Sequence, residues 1–486
     1  MINLNYKTFK DKVYACWVGK NIGGTMGTPY EGIKDMVNIK GFVTKPNEVL
    51  PNDDLDLQLV WLHLVETIGV RAINAKTLGE GWLSFIHPTW NEYGIGKANM
   101  LKGLIPPLSG DYNNDWKNSN GAWIRTEIWA SLAPGCPDVA AKYAIEDAKV
   151  DHGSGEGTFA AAFVAAMQSA AFVINDLRKC IEIGLSKIPN TSRVHNSVLK
   201  VLECFDNNID VVSTRNIILE LNKDIGTGWF EAPSNVAYTI LGLLYGKGDF
   251  KKSMIYAINC GDDTDCTGAT VGSTLGILGG LEIIPKDWKG HIGDNIVTAA
   301  LCCGNVLRGL PKTCTELTER VVKQTTNMLL NNNCDVIISN NEDKIDDNIY
   351  DKMINNQDYQ DILDEIKPNS MKFSNGFIDA IVEVVDGVDI NPNQEKEIKI
   401  RFKNTIKAYD YQIYNLQFRW WVPNGFTVLG KKSVTLMHKN DHQVGFIDVK
   451  FIVKTCEELE AVNRLVLEVE AVNRPTALYI PIKLLG

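Results

Sequence analysis

Two short acidic runs carry the clearest chemistry in this sequence. The first is Pro51-Asn52-Asp53-Asp54-Leu55-Asp56-Leu57-Gln58, with three carboxylates in four residues. The second is Asn259-Cys260-Gly261-Asp262-Asp263-Thr264-Asp265-Cys266-Thr267-Gly268. Each stands at the start of a helical pattern. One reading of each run is a helix cap, because a carboxylate or amide there satisfies the free amides of the first turn. A cap needs one such group, and each run supplies several. No basic residue lies within the second run or just after it, so its carboxylates need a countercharge from elsewhere. An EF-hand is excluded: the twelfth position counted from Asp263 is Thr274, where that loop requires glutamate. Two carboxylate groups at helix starts in an otherwise apolar domain suit hard cations held by oxygen. Two such cations bridged by shared aspartates make a site for hydrolysis.

The elements that must bring the runs together are helices. Residues 1 to about 330 repeat apolar side chains at three- and four-residue spacing, as in Val13, Cys16 and Trp17, or Val236, Ile240, Leu243 and Leu244. The stretch from Gly157 to Val173 is alanine-rich, which favours helix. Gly268, Gly272 and Gly276 recur every fourth residue and make a smooth helical stripe, which predicts close packing in the domain centre. Residues 331–370 turn polar, with Asn331-Asn332-Asn333 and Asp346-Asp347-Asn348, and read as a solvated connector with a short helix near Tyr359–Ile366. From 371 to 486 the period becomes two: Ile378, Ala380, Val382 and Val384 alternate with polar neighbours, and Leu465, Leu467 and Val469 do the same. About seven strands separated by turns such as Asp386-Gly387 predict an immunoglobulin-like β-sandwich. The expected architecture is an all-α domain over 1–330, a connector, and a small all-β sandwich domain.

Bulk properties narrow the function. A chain of 486 residues exceeds one ordinary core. Its 45% apolar and 22% charged content is that of a folded, soluble protein. A net charge of −10 argues against nucleic acid and anionic lipid as partners. The N-terminus lacks the order of a signal peptide, and no run of residues is apolar enough to span a bilayer. The eleven cysteines are scattered, form no CxxC pair and include the adjacent Cys302-Cys303, which predicts reduced thiols and a cytoplasmic location.

Four blocks together resemble the ADP-ribosylglycohydrolase family over residues 10 to about 310. They are Gly23-Gly24-Thr25-Met26-Gly27-Thr28-Pro29-Tyr30-Glu31; Asn52-Asp53-Asp54; Asn120-Gly121-Ala122-Trp123-Ile124-Arg125 followed by Asp151-His152-Gly153; and Gly261-Asp262-Asp263-Thr264-Asp265-Cys266. The resemblance implies a compact all-α fold with two Mg²⁺ ions, for which Mn²⁺ can substitute. Its implied ligands are Asn52, Asp53, Asp54, Asp263, Asp265 and Cys266. Asn52 and Cys266 stand where the family usually has threonine, and a thiol is a poor partner for magnesium. The implied reaction is hydrolysis of the glycosidic bond of ADP-ribose attached to a protein side chain or a small molecule, through an oxocarbenium-like state. Glu31 is the first choice to manage the proton, with Asp54 or Asp56 able to share the task.

The resemblance implies Asn120, Gly121, His152, Gly153 and Gly155 as substrate-binding residues, and the glycines beside His152 offer backbone amides to a diphosphate. His152 reads equally well as a structural histidine. Arg125 reads as the partner of an internal carboxylate. The Gly23–Gly32 run lacks the lysine of a phosphate loop and has no strand before it, so it is not a nucleotide fingerprint. Two other functions suit the same residues: an inactive ADP-ribose-binding or structural module, or a hydrolase of another ribosyl or nucleoside-derived glycoside.

Overall fold

A computed structural model describes residues 2–299, 301, 309–355, 357–363, 365–405, 413–440 and 443–486. Cys302-Cys303 lies outside these residues. The chain forms two units: Met1–Lys97 with Asn113–Leu363, and Ala98–Tyr112 with Asp364–Gly486.

The first unit is helical. Its first helix, Tyr6–Gly27, starts at Asn5, whose side chain accepts from the backbone amides of Lys7 and Thr8. The alanine-rich segment forms the helix Glu156–Ala171. From Ala160 to Ala171 every side chain is buried, the mark of a helix surrounded by other helices. The glycine stripe lies on the helix Thr264–Gly279 and packs on Tyr6–Gly27 with the two chains running in opposite directions. A Cβ placed on Gly19 would stand 2.1 Å from the Gly272 carbonyl oxygen, and one on Gly23 2.1 Å from the Gly268 carbonyl carbon. On Gly27 it would stand 2.2 Å from the Thr264 carbonyl oxygen, and on Gly276 2.3 Å from that of Ala15. These helices therefore touch backbone to backbone over their length. The Gly23–Gly27 segment is helical, and Gly23 and Gly27 serve this contact.

Two features depart from the expected architecture. Residues 331–363 belong to the first unit, where the segment had read as a solvated connector. Val336–Ser339 pairs in parallel with Ile2–Asn5, so the helical unit carries a two-stranded sheet. The β-branched run Val336-Ile337-Ile338 explains the strand, hidden in sequence by the asparagines around it. Short helices follow at Ile349–Ile354 and Gln357–Leu363.

The second unit holds two larger antiparallel sheets and a two-stranded one, Lys439–Asn440 with Gln443–Val444. One has five strands in the order Ser370–Ser374, Ile378–Val384, Glu395–Asn404, Phe446–Lys454 and Thr427–Gly430. The other has four: Ala477–Leu485, Val462–Ala471, Tyr414–Trp421 and Ser433–Leu436. Their inward residues, among them Val382, Ile400, Phe451, Leu467 and Ile480, form one core that Leu104 and Leu108 join. Trp420 packs edge-on against Phe451 with ring centroids 5.2 Å apart, while Trp421 faces outward.

The glycine contact generates a paired prediction. Gly23→Ala should destabilise the protein by about 3 kcal/mol, because overpacking outweighs the gain in helix propensity. Gly290 lies in the helix Lys286–Ile292 with open space around its missing Cβ. Gly290→Ala should be neutral or stabilising by about 0.5–1 kcal/mol. Urea denaturation of both variants checks this, and equal losses would contradict the packing account.

Candidate functional site

The helix contact determines where the acidic runs meet. The first run begins the helix Asp53–Ile68, with Asn52 in extended conformation as its cap. Asn52 Oδ1 accepts from the Asp54 amide at 2.7 Å. Gly24 admits this cap, since a Cβ there would stand 2.1 Å from Asn52 Nδ2. The second run turns through Gly261 and Asp262, at φ of 78° and 66°, into the helix Thr264–Gly279. The Gly32 amide donates to the Asp262 carbonyl at 2.8 Å, and the Asp262 amide donates to Ile33 at 2.7 Å. This small zipper pins Glu31, four residues past the end of the first helix, beside the start of the striped helix.

The result is a shared cluster. Glu31, Asp263 and Asp265 offer oxygens that all lie within 4.8 Å of one another. Asp54, Asp265 and Cys266 offer a second set at the same spacing. Asp265 belongs to both. Tyr93 Oη donates to Asp53 Oδ2 at 2.9 Å, and Asn120 Nδ2 to Asp263 Oδ2 at 2.6 Å. Among the described residues, Asp263 Oδ1 and Asp265 Oδ1 are buried without a hydrogen-bond partner. Lys20, also buried, stands 3.6 Å from Asp54 and 3.1 Å from Glu127, and donates to the Ile124 carbonyl at 2.7 Å. It is divided between two carboxylates and cannot neutralise the remaining four.

Burial and neighbouring charge raise the proton affinity of these carboxylates. Glu31 is pushed up to about 8, first by the charge of Asp265, then by burial and Asp53. Burial, before any neighbour, lifts Asp53, Asp54, Asp263 and Asp265 above the usual carboxylate range. A divalent cation among these oxygens would supply the missing charge and favour their ionised forms. The buried oxygens without partners fit that role. Cys266 fits it less well. Burial and the surrounding carboxylates hold its thiol well above the ordinary range, and its Sγ lies 3.3 Å from Asp54 Oδ1 as a donor. The Asn52 amide oxygen is engaged as the helix cap.

The cluster opens on a cavity of about 450 Å³. Asp53, Asp263 and Asp265 line it, with Glu31 at its exposed edge and Asn120 and Gly121 on its wall. Asp54 is fully buried and does not line the cavity, so its expected catalytic role is not supported by position, whereas a ligand role is. Asp56 is buried as well and accepts from the Ala299 amide.

The structure does not bring His152, Gly153 and Gly155 to the cavity. His152 is wholly buried, with Nδ1 2.9 Å from Asp151 Oδ1 and Nε2 3.3 Å from Ser119 Oγ. Gly155 is pressed on the Lys117 backbone, where a Cβ would stand 2.3 Å from the carbonyl oxygen. These residues stand behind the wall. Arg125 pairs with Asp147 at 3.0 Å and with Asp151 at 2.8 Å, stacked over Trp82. Burial pushes Asp151 up, but Arg125 and then His152 outweigh it and hold it down to about 2.

Several contributors lie outside the recognised blocks. Glu92, Tyr93, Trp90 and Phe230 line the cavity. Nothing in their local spacing marks them. Lys20 and Glu127 do carry a signal, since each is a charge inside an apolar helical pattern, and such charges are buried only in pairs.

The ADP-ribosylglycohydrolase family model matches residues 5–326. The ADP-ribosylhydrolase ARH3 of Mus musculus is 25% identical over 234 residues, which are 40% of this chain and 61% of that protein. The chain thus spans less than two thirds of that relative's length. A solved structure described as an ADP-ribosylglycohydrolase-related protein complex is 19% identical, covering 66% of this chain and 98% of its own, with a TM-score of 0.41. A FixG-related protein from Vibrio parahaemolyticus is 8% identical, covering 23% of this chain and 96% of its own, with a TM-score of 0.18. The match over residues 5–326 takes in both acidic runs, Glu31 and the Asn120 wall within one family pattern, and this chain belongs to the ADP-ribosylglycohydrolase family.

Proposed function

We propose that this chain is a divalent-metal-dependent hydrolase that cleaves the glycosidic bond of ADP-ribose attached to a protein side chain or a small molecule. The observation that carries the reading is the convergence of Glu31, Asp263 and Asp265 on one side and Asp54, Asp265 and Cys266 on the other, with Asp265 common to both. Family membership supports the ADP-ribose glycoside as substrate. Nine described cysteines are free thiols, in keeping with a cytoplasmic protein. Among the described residues, no single helix is long and apolar enough to cross a membrane.

Asp53, Asp54, Asp263 and Asp265 would hold two Mg²⁺ or Mn²⁺ ions. When bound, such ions orient vicinal ribose hydroxyls and stabilise charge at the anomeric centre. The protein supplies the rest. Asn120 steadies Asp263 and Tyr93 steadies Asp53, so the oxygens are positioned before substrate arrives. Lys20 holds Asp54 from behind the cavity. Glu31 is the proton-handling group: it reaches solvent, edges the cavity, and its carboxyl exchanges protons near neutral pH. A second reading, binding of ADP-ribose without turnover, draws on Cys266 as a thiol donor and on the engagement of Asn52 as a cap.

Purified protein should release ADP-ribose from at least one of an arginine-linked, a serine-linked and an O-acetyl conjugate, and only with Mg²⁺ or Mn²⁺ present. Asp265→Ala should lower kcat by about a hundredfold or more, the scale of losing a charge-stabilising element. Turnover unaffected by chelation would remove the metal from the mechanism. Binding of ADP-ribose with no turnover of any conjugate would favour the second reading.

A stability prediction follows from the same charges. Glu31 binds its proton more tightly in the folded chain, at about 8, than at its ordinary value of 4.5. That contribution is fully present below about pH 4.5 and is lost as pH rises through 8. The raised aspartates act in the same direction. Chelated protein should therefore melt at a lower temperature at pH 8 than at pH 5.5. Millimolar Mn²⁺ should raise Tm more at pH 8, where fewer protons compete for the carboxylates. A metal effect that is equal at both pH values would count against cation binding at this cluster.

A further inference from the structure

The outer face of the four-stranded sheet in the second unit carries groups its core does not need. Trp421 is 57% exposed and Tyr479 58%. They stand on the strands Tyr414–Trp421 and Ala477–Leu485, which flank Val462–Ala471. Both are fastened to one carboxylate on that middle strand. Trp421 Nε1 donates to Glu468 Oε2 at 3.1 Å, and Tyr479 Oη donates to Glu468 Oε1 at 3.4 Å. Glu468 itself is only 9% exposed. Arg419 lies opposite Glu468 in the strand register, with its guanidinium 3.8 Å from the same carboxylate. Two large rings are thus tethered in place on a solvent-facing sheet.

Beside the rings, and sharing Glu468, runs a groove of about 260 Å³. Gln417, Arg419, Lys432, Ser433 and Glu470 supply its other polar walls. Its charges balance: Arg419 and Lys432 against Glu468 and Glu470. That balance offers nothing to a phosphate or a polyanion, which needs an excess of positive charge. What the lining does offer is a dense mixture of amide, hydroxyl, guanidinium and carboxylate groups, each able to pair with a hydroxyl. A pyranose ring has matching chemistry. Its axial C–H face is apolar and stacks on an aromatic ring, and its rim is hydroxylated.

We propose that this face binds a neutral oligosaccharide. Trp421 and Tyr479 stack on its sugar rings, and the groove from Gln417 to Glu470 takes its hydroxyls. The tethers to Glu468 reduce the ordering cost of binding, because the rings are already held. The site belongs to the second unit, shares no residue with the acidic cluster and does not depend on the hydrolytic reading.

The test is calorimetric titration of the full-length chain with cellohexaose, maltohexaose, laminarihexaose and N-acetylchitohexaose, with heparin as an acidic contrast. At least one neutral hexaose should bind. Trp421→Ala and Tyr479→Ala should each weaken it about tenfold, the equivalent of losing one stacked ring. Trp421→Phe keeps the ring and should stay within about threefold of the parent, since only the tether is lost. Melting curves establish that each variant is folded, and Tyr479 on the edge strand provides an independent arm should Trp421→Ala unfold. No binding of any neutral hexaose at about 5 mM, a Kd weaker than the millimolar range, overturns the proposal. So do preference for heparin and affinity unchanged in both folded alanine variants.

Discussion

The helices Tyr6–Gly27 and Thr264–Gly279 meet backbone to backbone at their glycines, and the spacing of the acidic site depends on that contact. Gly19, Gly23 and Gly27 present bare backbone to Gly272, Gly268 and Thr264. Each helical glycine forfeits about 1 kcal/mol of helix propensity relative to alanine. The offsetting gain is a close approach that leaves no void and maximises dispersion contacts. It also has a geometric consequence. The end of one helix is brought onto the start of the other, so Glu31 comes to lie beside Asp263 and Asp265 although more than 200 positions separate them in the chain. A single methyl between the helices would push these carboxylates apart.

The convergence creates an electrostatic problem that the protein alone does not solve. Glu31, Asp53, Asp54, Asp263 and Asp265 share one small region with Lys20, which is also claimed by Glu127. The cost of that imbalance is deepened by burial, which leads the rise in proton affinity of the four aspartates, whereas the charge of Asp265 leads it for Glu31. It is resolved either by protonation or by cations, and at neutral pH the second route leaves the oxygens free to act as ligands. The surroundings serve the same end. Asn120 and Tyr93 each hold one carboxylate oxygen, and the other oxygen of Asp263 is buried without a hydrogen-bond partner. Arg125, by contrast, is paired with Asp147 and Asp151, so this strong cation stabilises the wall and reaches the site only as the last of the influences on Asp53.

Much of this was legible from residue types. Clustered like charge without nearby counter-charge is costly unless it does something, which made the runs at Asp53 and Asp263 stand out. The stripe at Gly268, Gly272 and Gly276 predicted close helix packing, and the switch to period two near residue 371 predicted the sheets. Other features were hidden because tertiary context overrode a local rule. The helix through Gly23–Gly27 runs against the low helix propensity of glycine and is made by packing. The strand at Val336 was masked by its asparagine-rich flanks and is fixed by pairing with the distant Ile2–Asn5. His152 and its glycines looked like a phosphate cradle, but a motif does not reveal which side of a wall it occupies. Glu92 and Phe230 reach the cavity from segments with no distinguishing pattern.

The central claim is that helix packing assembles one divalent-cation site from two distant acidic runs. Its most direct test is a crystal structure of the protein soaked in Mn²⁺, with anomalous diffraction locating the ions. The account predicts anomalous peaks between the Asp53–Asp54 turn and the Asp263–Asp265 turn, about 2.0–2.5 Å from their carboxylate oxygens. An empty cluster at millimolar Mn²⁺, with the same oxygens instead paired to lysine or arginine side chains, would contradict it.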